Sequence, residues 1–225
     1  MIAVYTRSAH PVLWGRMCEF IPKDVPKYRC TGFDGFTEAV DYLYYMFNHA
    51  KTHYILNIDE DCFITDWVVF GELVEYFIKG EYTHAGMPDG GVHPGRSNSW
   101  AVQNPFFNVF NATKCKKLIV KKGRIAIDKY TFNNITSYKE PKIIYPTNHD
   151  NLEPFTGLFY YLHDKGKPLN LEAKIWEDGL TTELLFNGKP FCVHTWYSRN
   201  YGTDIEVTNR IDKIYEDCRN RVLAG

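Results

Sequence analysis

An apolar stretch, His53-Tyr-Ile-Leu-Asn-Ile58, runs directly into three consecutive carboxylates, Asp59-Glu60-Asp61. Like charges repel, so such a run at the mouth of a buried strand calls for a counter-charge. Successive side chains of an extended backbone alternate between faces, which predicts Asp59 and Asp61 on one side and Glu60 turned outward. Two carboxylates converging at the carboxyl end of a strand offer hard oxygen ligands to Mg²⁺ or Mn²⁺, cations that keep coordination positions open for phosphate oxygens. That edge is also where ligands bind in open α/β sheets. The pattern is short, and a solvated acidic turn is the plainer alternative, so other residues must carry part of the reading.

The elements that position this run follow from periodicity. Ile2-Tyr5 reads as a strand, followed by the polar turn Thr6-Arg7-Ser8-Ala9-His10-Pro11, a helix over Val12-Phe20 and a strand near Tyr28-Thr31. Phe36-Ala50 has helical spacing, with Phe36, Val40, Leu43, Tyr44 and Phe47 on one side. Beyond the acidic strand, Asp66 is placed to cap a helix from Trp67 to Lys79 that Gly80 stops. This β-α-β-α-β-α order predicts a parallel sheet flanked by helices. Gly86-Trp100 reads as a long loop, Asn104-Phe110 as a strand, and Asn111 as the cap of a helix through Ile119. Residues 121–147 are read as short strands of a second, mixed sheet. Then come a helix over Leu152-Lys165, a strand near Leu169-Trp176, a short helix over Leu180-Phe186, a strand at Phe191-His194 and a charged amphipathic tail helix. Repeats, linkers and low-complexity tracts are lacking, which predicts one domain.

Composition narrows the function classes. The chain has 225 residues, long enough for one well-buried domain, and its 26 basic and 27 acidic residues nearly cancel. A protein that bound nucleic acid by neutralising phosphates would be more basic. No apolar run approaches the roughly 20 residues that span a bilayer, and the opening Met1-Ile-Ala-Val-Tyr-Thr-Arg7 enters a strand directly rather than a signal peptide. Six scattered cysteines contain no Cys-x-x-Cys pair, which argues against a zinc site or disulfide framework and predicts a cytoplasmic setting. Aromatics reach 16%, more than a core alone requires and suited to stacking on sugars or bases.

The Asp59-x-Asp61 pattern resembles the nucleophile motif of haloacid-dehalogenase-like phosphatases only superficially. Phe63 stands where that family has Thr or Val, and no later Asp-Asp pair completes the metal site. The order of motifs from Ile2 to about Gly202 better resembles the GT-A glycosyltransferases, with an α/β half, an apolar strand ending in Asp-x-Asp, a Gly-rich loop and a late histidine. The resemblance implies a Rossmann-like central mixed sheet flanked by helices in a single domain over residues 1–225. Residues 1–85 would form the nucleotide-binding half, 86–203 the acceptor-binding half and 204–223 a C-terminal helix. It implies Asp61 as principal ligand of Mn²⁺ or Mg²⁺, Asp59 on metal or ribose, and His194 completing the metal site. Thr6, Arg7, Glu60, Arg199 and Trp196 would border a nucleotide-sugar. Arg199 suits a phosphate through its planar fork, while Trp196 fits either stacking or a core role.

Transfer to a glycan hydroxyl also requires a base within about 3 Å of the proton it takes. His149-Asp150-Asn-Leu-Glu153-Pro and Trp176-Glu177-Asp178 each precede an expected helix and resemble the family's acidic helix-start motif, although plain capping accounts for both. Asp178 is the first candidate by its order before His194, with Glu153 second and Asp150 third. The 86–100 loop would be an acceptor lid with Trp100 and Arg96 as contacts and Gly90-Gly91 as hinge. UDP is the expected donor base by analogy with the fold alone. Two other readings stay open: a sugar-nucleotide nucleotidyltransferase, although the first turn lacks glycine, and a non-catalytic nucleotide- or sugar-binding module.

Overall fold

The computed structural model describes residues 2–89, 98–136, 148–150 and 152–224. The architecture is mixed α/β, with a central six-stranded mixed sheet flanked by helices and a smaller antiparallel sheet beside it. Strand β1 (Ile2–Arg7) lies parallel between β2 (Lys27–Cys30) and β3 (Tyr54–Ile58), with α1 (Pro11–Glu19) and α2 (Glu38–His49) in the connections. This half matches the alternation read from the sequence. Strand β6 (Gln103–Asn111) then pairs antiparallel with β3, which makes the sheet mixed. Beyond it lie β5 (His84–Pro88), antiparallel to β6, and β7 (Pro168–Asn170), parallel to β5. The smaller sheet has the order β4-β10-β9-β8, formed by Cys62–Ile64, Lys189–His194, Thr182–Phe186 and Glu172–Ile175.

Local chemistry sets the helix ends. The Asp66 carboxylate accepts hydrogen bonds from the N–H groups of Val68 and Val69, both at 2.9 Å, and opens α3 (Trp67–Lys79), which Gly80 closes. Asn111 Oδ1 accepts from Lys114 N at 3.0 Å and opens α4 (Ala112–Lys122). Each cap satisfies amide donors that a helix start leaves orphaned, typically worth about 1 kcal/mol. Val69, Phe70, Leu73 and Phe77 form the buried stripe of α3. They join Val4, Leu56, Ile58, Phe107 and Phe191 in a core shared by the two sheets. On the other face of the central sheet, Ala3, Tyr5, Ile55 and Phe110 pack with α2, α4 and α6 (Thr156–Lys165). Strand period two thus feeds two separate cores, and each buried ring contributes about 1.5–3 kcal/mol.

Several expectations are corrected. The segment 180–186 forms no helix: Leu180 and Thr181 lie in the loop after β8, and Thr182–Phe186 form β9. The Asn187-Gly188 loop explains why: both residues have positive φ (51° and 74°), and Phe186 pairs with Lys189 across a two-residue hairpin. Asn-Gly is the strongest local signal for that turn. The 121–147 segment contributes no strand among its described residues, which form the end of α4, α5 (Arg124–Asp128) and a 3₁₀ turn at Phe132–Asn134. The second sheet comes instead from β4 and the three late strands. Residues 84–88, partly assigned to a loop, form β5. Trp100 is buried against Phe132 and His163, with ring centroids at 5.7 and 5.5 Å, rather than presented on a lid. Gly90, Gly91, Arg96 and positions 137–147 lie outside the described residues. The tail forms α7 (Ile205–Ala224), and no described helix is long and apolar enough to cross a membrane.

Candidate metal centre and its cleft

The acidic run is the link between the two sheets. Strand β3 of the large sheet ends at Ile58 and β4 of the small sheet begins at Cys62, with Cys62 N donating to Asp59 O at 3.2 Å to close a turn. Asp59 and Asp61 converge because of this turn, not because an extended strand continues through them. Antiparallel pairing of β4 with β10 sets His194 opposite Cys62. The imidazole therefore arrives beside Asp61, with His194 Nε2 at 3.4 Å from Asp61 Oδ1. One potential ligand atom each from Asp59, Asp61 and His194 lie within 4.8 Å of one another.

The electrostatics suit a cation. Asp61 is buried, and its Oδ2 accepts from Thr195 Oγ1 at 2.8 Å. Its Oδ1 has no hydrogen-bond partner among the described residues, and neither does His194 Nδ1. Buried polar atoms are seldom left unpaired, so orphans on two converging side chains mark a place for a ligand. Burial works to raise the Asp61 carboxyl, but His194 and the Thr195 hydroxyl hold it below the ordinary carboxylate range. Burial pushes Asp59 up to about 6, against the pull of Arg7 and with the push of Asp61. Two carboxylate oxygens and an imidazole nitrogen form a donor set that fits Mn²⁺ or Mg²⁺ with positions to spare.

The centre opens into a cleft of about 440 Å³, within the range of small-molecule sites. Arg7 and Arg199 lie on its wall with Glu153, Trp196, Phe36 and Asn104. Arg7 ends β1, and its buried Nη1 has no hydrogen-bond partner among the described residues. Arg199 sits on a 3₁₀ turn at Ser198–Asn200, after two consecutive non-glycine residues in left-handed backbone, Trp196 (φ 65°) and Tyr197 (φ 64°). Such conformations cost about 1–3 kcal/mol each and persist where surrounding structure holds them. The Trp196 ring lies 4.5 Å from His194 and 5.8 Å from Phe106, while its Nε1 donates to Thr182 Oγ1 at 2.9 Å.

The remaining anticipated residues fall elsewhere. Glu60 does point away from its neighbours, but inward rather than outward. It is buried and accepts from Ser8 Oγ at 2.5 Å and from His10 N at 2.9 Å, and Ser8 accepts in turn from Arg29 Nε. Burial pushes the Glu60 carboxyl up to about 7 despite these donors. Its place is to clasp the β1–α1 turn onto the sheet link. Thr6 is buried, its hydroxyl has no hydrogen-bond partner among the described residues, and it is not part of the cleft wall. Glu153 stands in the turn before α6 and lines the cleft, whereas exposed Asp150 does not. Asp178 does not open a helix. It caps the β8–β9 loop by accepting from Leu180 N and Thr181 N at 3.0 and 2.8 Å, and it lines a different cleft near α7. The sequence carries no signal for Asn104 or Thr195 at the site, and it places Phe36 on the apolar side of a helix, whereas Phe36 precedes α2 and lines the cleft. Phe36 stands 54% exposed, which no helical periodicity would reveal.

No family model matches the chain, and no curated protein matches it. Similar solved structures include A197 from STIV, at 9% identity and a TM-score of 0.44, covering 81% of this chain and 89% of that one. Another is a mutant Drosophila beta-1,4-galactosyltransferase 7 in complex with manganese, UDP-Gal and xylobiose. It is 11% identical with a TM-score of 0.36, covering 93% of this chain and 98% of the other. Both likenesses are remote, and the chemistry of this chain is read from its own cleft.

Proposed function

We propose that this chain is a divalent-metal-dependent glycosyltransferase that moves a hexose from a nucleotide diphosphate sugar, with UDP as the donor nucleotide, to a glycan hydroxyl. The observation that carries the reading is the convergence of Asp59, Asp61 and His194 at a cleft whose wall also bears Arg7 and Arg199. Acidic ligands beside two guanidinium groups suit a metal-bound diphosphate, since neither charge set alone would be balanced by a neutral ligand. When bound, Mn²⁺ or Mg²⁺ supplies Lewis-acid stabilisation of the departing diphosphate.

The chain's own residues supply the rest. Asp61, fixed by Thr195, and His194, stacked on Phe106 at 4.2 Å, are pre-set as ligands. Arg7 and Arg199 face the charge that develops as the anomeric carbon–oxygen bond breaks and its electron pair leaves with the diphosphate. Glu153 takes the proton from the acceptor hydroxyl as that oxygen bonds to the anomeric carbon. Trp196 and the exposed ring of Phe36 offer apolar faces to sugar or base.

Calorimetric titration with UDP, with and without Mn²⁺, tests the reading when followed by assays of donor hydrolysis and transfer. Metal-dependent UDP binding with slow UDP-sugar hydrolysis supports it. Binding without turnover on any sugar nucleotide supports a non-catalytic module, pyrophosphate release from a nucleoside triphosphate and a sugar phosphate supports a nucleotidyltransferase, and metal-independent or absent UDP binding overturns it.

A further inference from the structure

The segment that carries Arg199 to the cleft is strained, and it is held from two sides, by the small sheet through the Trp196 Nε1 bond to Thr182 and by helix α7. After Thr195, which is tied to Asp61 through both backbone and hydroxyl, Trp196 and Tyr197 both take left-handed backbone and Tyr197 is 58% exposed. Helix α7 grips this strap at two points. Arg210 Nη2 donates to the carbonyl of Trp196 at 2.8 Å. Four residues beyond the strap's exposed tip, the Tyr201 hydroxyl donates to Asp212 Oδ1 at 2.9 Å, and Asp212 is itself paired with Arg16 of α1 at 2.5 Å. Arg210 is aimed in turn by the β8–β9 loop, with Asp178 Oδ2 at 3.6 Å and Thr181 Oγ1 at 3.4 Å from its Nη1. The Thr181 hydroxyl donates to that same Asp178 oxygen at 2.5 Å.

We propose that Arg210 and Asp178 are a positioning pair that braces the Trp196–Arg199 strap, so that Arg199 faces the phosphates of the nucleotide. The proposal rests on the reading of the cleft as a nucleotide-sugar site. It assigns Asp178 a role at a distance, since its carboxylate serves the arm of Arg210 rather than a substrate. The metal ligands do not depend on this brace, because Thr195 and the β4–β10 register hold them independently. The strap does depend on it. Removing the donor to the Trp196 carbonyl releases a backbone that is strained at two successive residues, and Arg199 loses its fixed direction.

The test compares the full chain with its Arg210→Ala, Arg210→Lys and Asp178→Asn variants by two measurements. Hydrogen exchange of the ligand-free proteins should accelerate in residues 195–203 of Arg210→Ala and leave β3, β4 and β10 unchanged. Affinity for Mn²⁺, read by electron paramagnetic resonance, should stay within about twofold, while affinity for UDP with saturating Mn²⁺ should fall about tenfold, the scale of one charge-assisted hydrogen bond. Arg210→Lys should recover part of that loss, and Asp178→Asn should show a smaller loss in the same direction. Unchanged exchange in the strap overturns the brace, as does a parallel fall in metal and nucleotide affinity, which marks general destabilisation. If the unaltered chain binds no UDP, the proposed function fails, and the exchange measurement still decides whether Arg210 braces the strap.

Discussion

His194 Nε2 lies 3.4 Å from Oδ1 of Asp61, although most of the chain separates the two residues. Their meeting depends on one register, His194 opposite Cys62 in the β4–β10 pair. A shift by one residue would turn the imidazole to the other face of the small sheet and leave the buried Asp61 carboxylate without its imidazole neighbour. The centre is therefore as much a property of strand pairing as of the three side chains.

Asp61→Asn should remove Mn²⁺ binding while keeping the fold. The amide oxygen can still accept from Thr195 Oγ1, now at 2.8 Å from Asp61 Oδ2. Electron paramagnetic resonance titration with Mn²⁺ should show at least about a tenfold loss of affinity, the effect of removing one ligating charge, with the melting temperature nearly unchanged. Full metal affinity in this variant would remove Asp61 from the site.

Glu153→Gln should separate binding from transfer. Glu153 lines the cleft but is not among the clustered ligands, so UDP affinity in the presence of Mn²⁺ should hold within about twofold. Loss of a general base lowers the rate by about 10²–10⁴-fold. Transfer from a panel of UDP-sugars at saturating donor checks this. Asp178→Asn should show the opposite balance, with weaker donor binding and a nearly unchanged maximal rate.

His84 is wholly buried in β5, with neither ring nitrogen hydrogen-bonded among the described residues. Burial drives its pKa down to about 3, helped by nearby His163, which burial itself pushes down to about 4. Both rings stay neutral in the fold below the pH at which the unfolded chain takes up protons, near 6.5. The unfolded state therefore binds more protons across the window from about 6.5 down to these folded values, and stability falls as pH falls through it. His84→Leu should raise stability by about 1 kcal/mol at pH 7, because an unsatisfied imidazole is replaced by an apolar group. It should also flatten the decline of the urea midpoint between pH 7 and 5.

Asp164 presents the opposite case. Its buried carboxylate pairs with Lys165 at 2.6 Å and accepts from the Tyr130 hydroxyl and the Thr136 N–H, both at 2.7 Å. Burial opposes its charge, but these partners hold its pKa well below the ordinary carboxylate range. A depressed folded pKa contributes stability that is fully present above about pH 4 and is lost as pH falls toward the folded value. Asp164→Asn should cost about 1–3 kcal/mol at pH 7 by urea unfolding. The loss should shrink as pH falls below about 4, where the unfolded-state carboxylate takes up its proton while the native one stays charged.

Parts of the site were legible because their causes are local. Asp66 and Asn111 cap helices through bonds that reach only two or three residues onward, so type and spacing were enough to place α3 and α4. The first three strands were legible from the alternation of strand and helix periods. Residues 180–186 differ from the helix expected of them because six or seven residues of mixed pattern do not decide between periods, and the Asn187-Gly188 turn settles them as a hairpin strand.

By itself, the sequence determined that carboxylates stand at the end of a buried strand, and that a late histidine and arginine are available to join them. Only the tertiary structure decided that the acidic run is a turn between two sheets, that Glu60 faces inward to Ser8, and that Glu153 rather than Asp178 shares the cleft with Asp59. The physical reason is range. Capping, alternation and turn formation are settled by neighbours along the chain, whereas strand register and cleft membership are settled by packing between segments that no spacing in the sequence encodes.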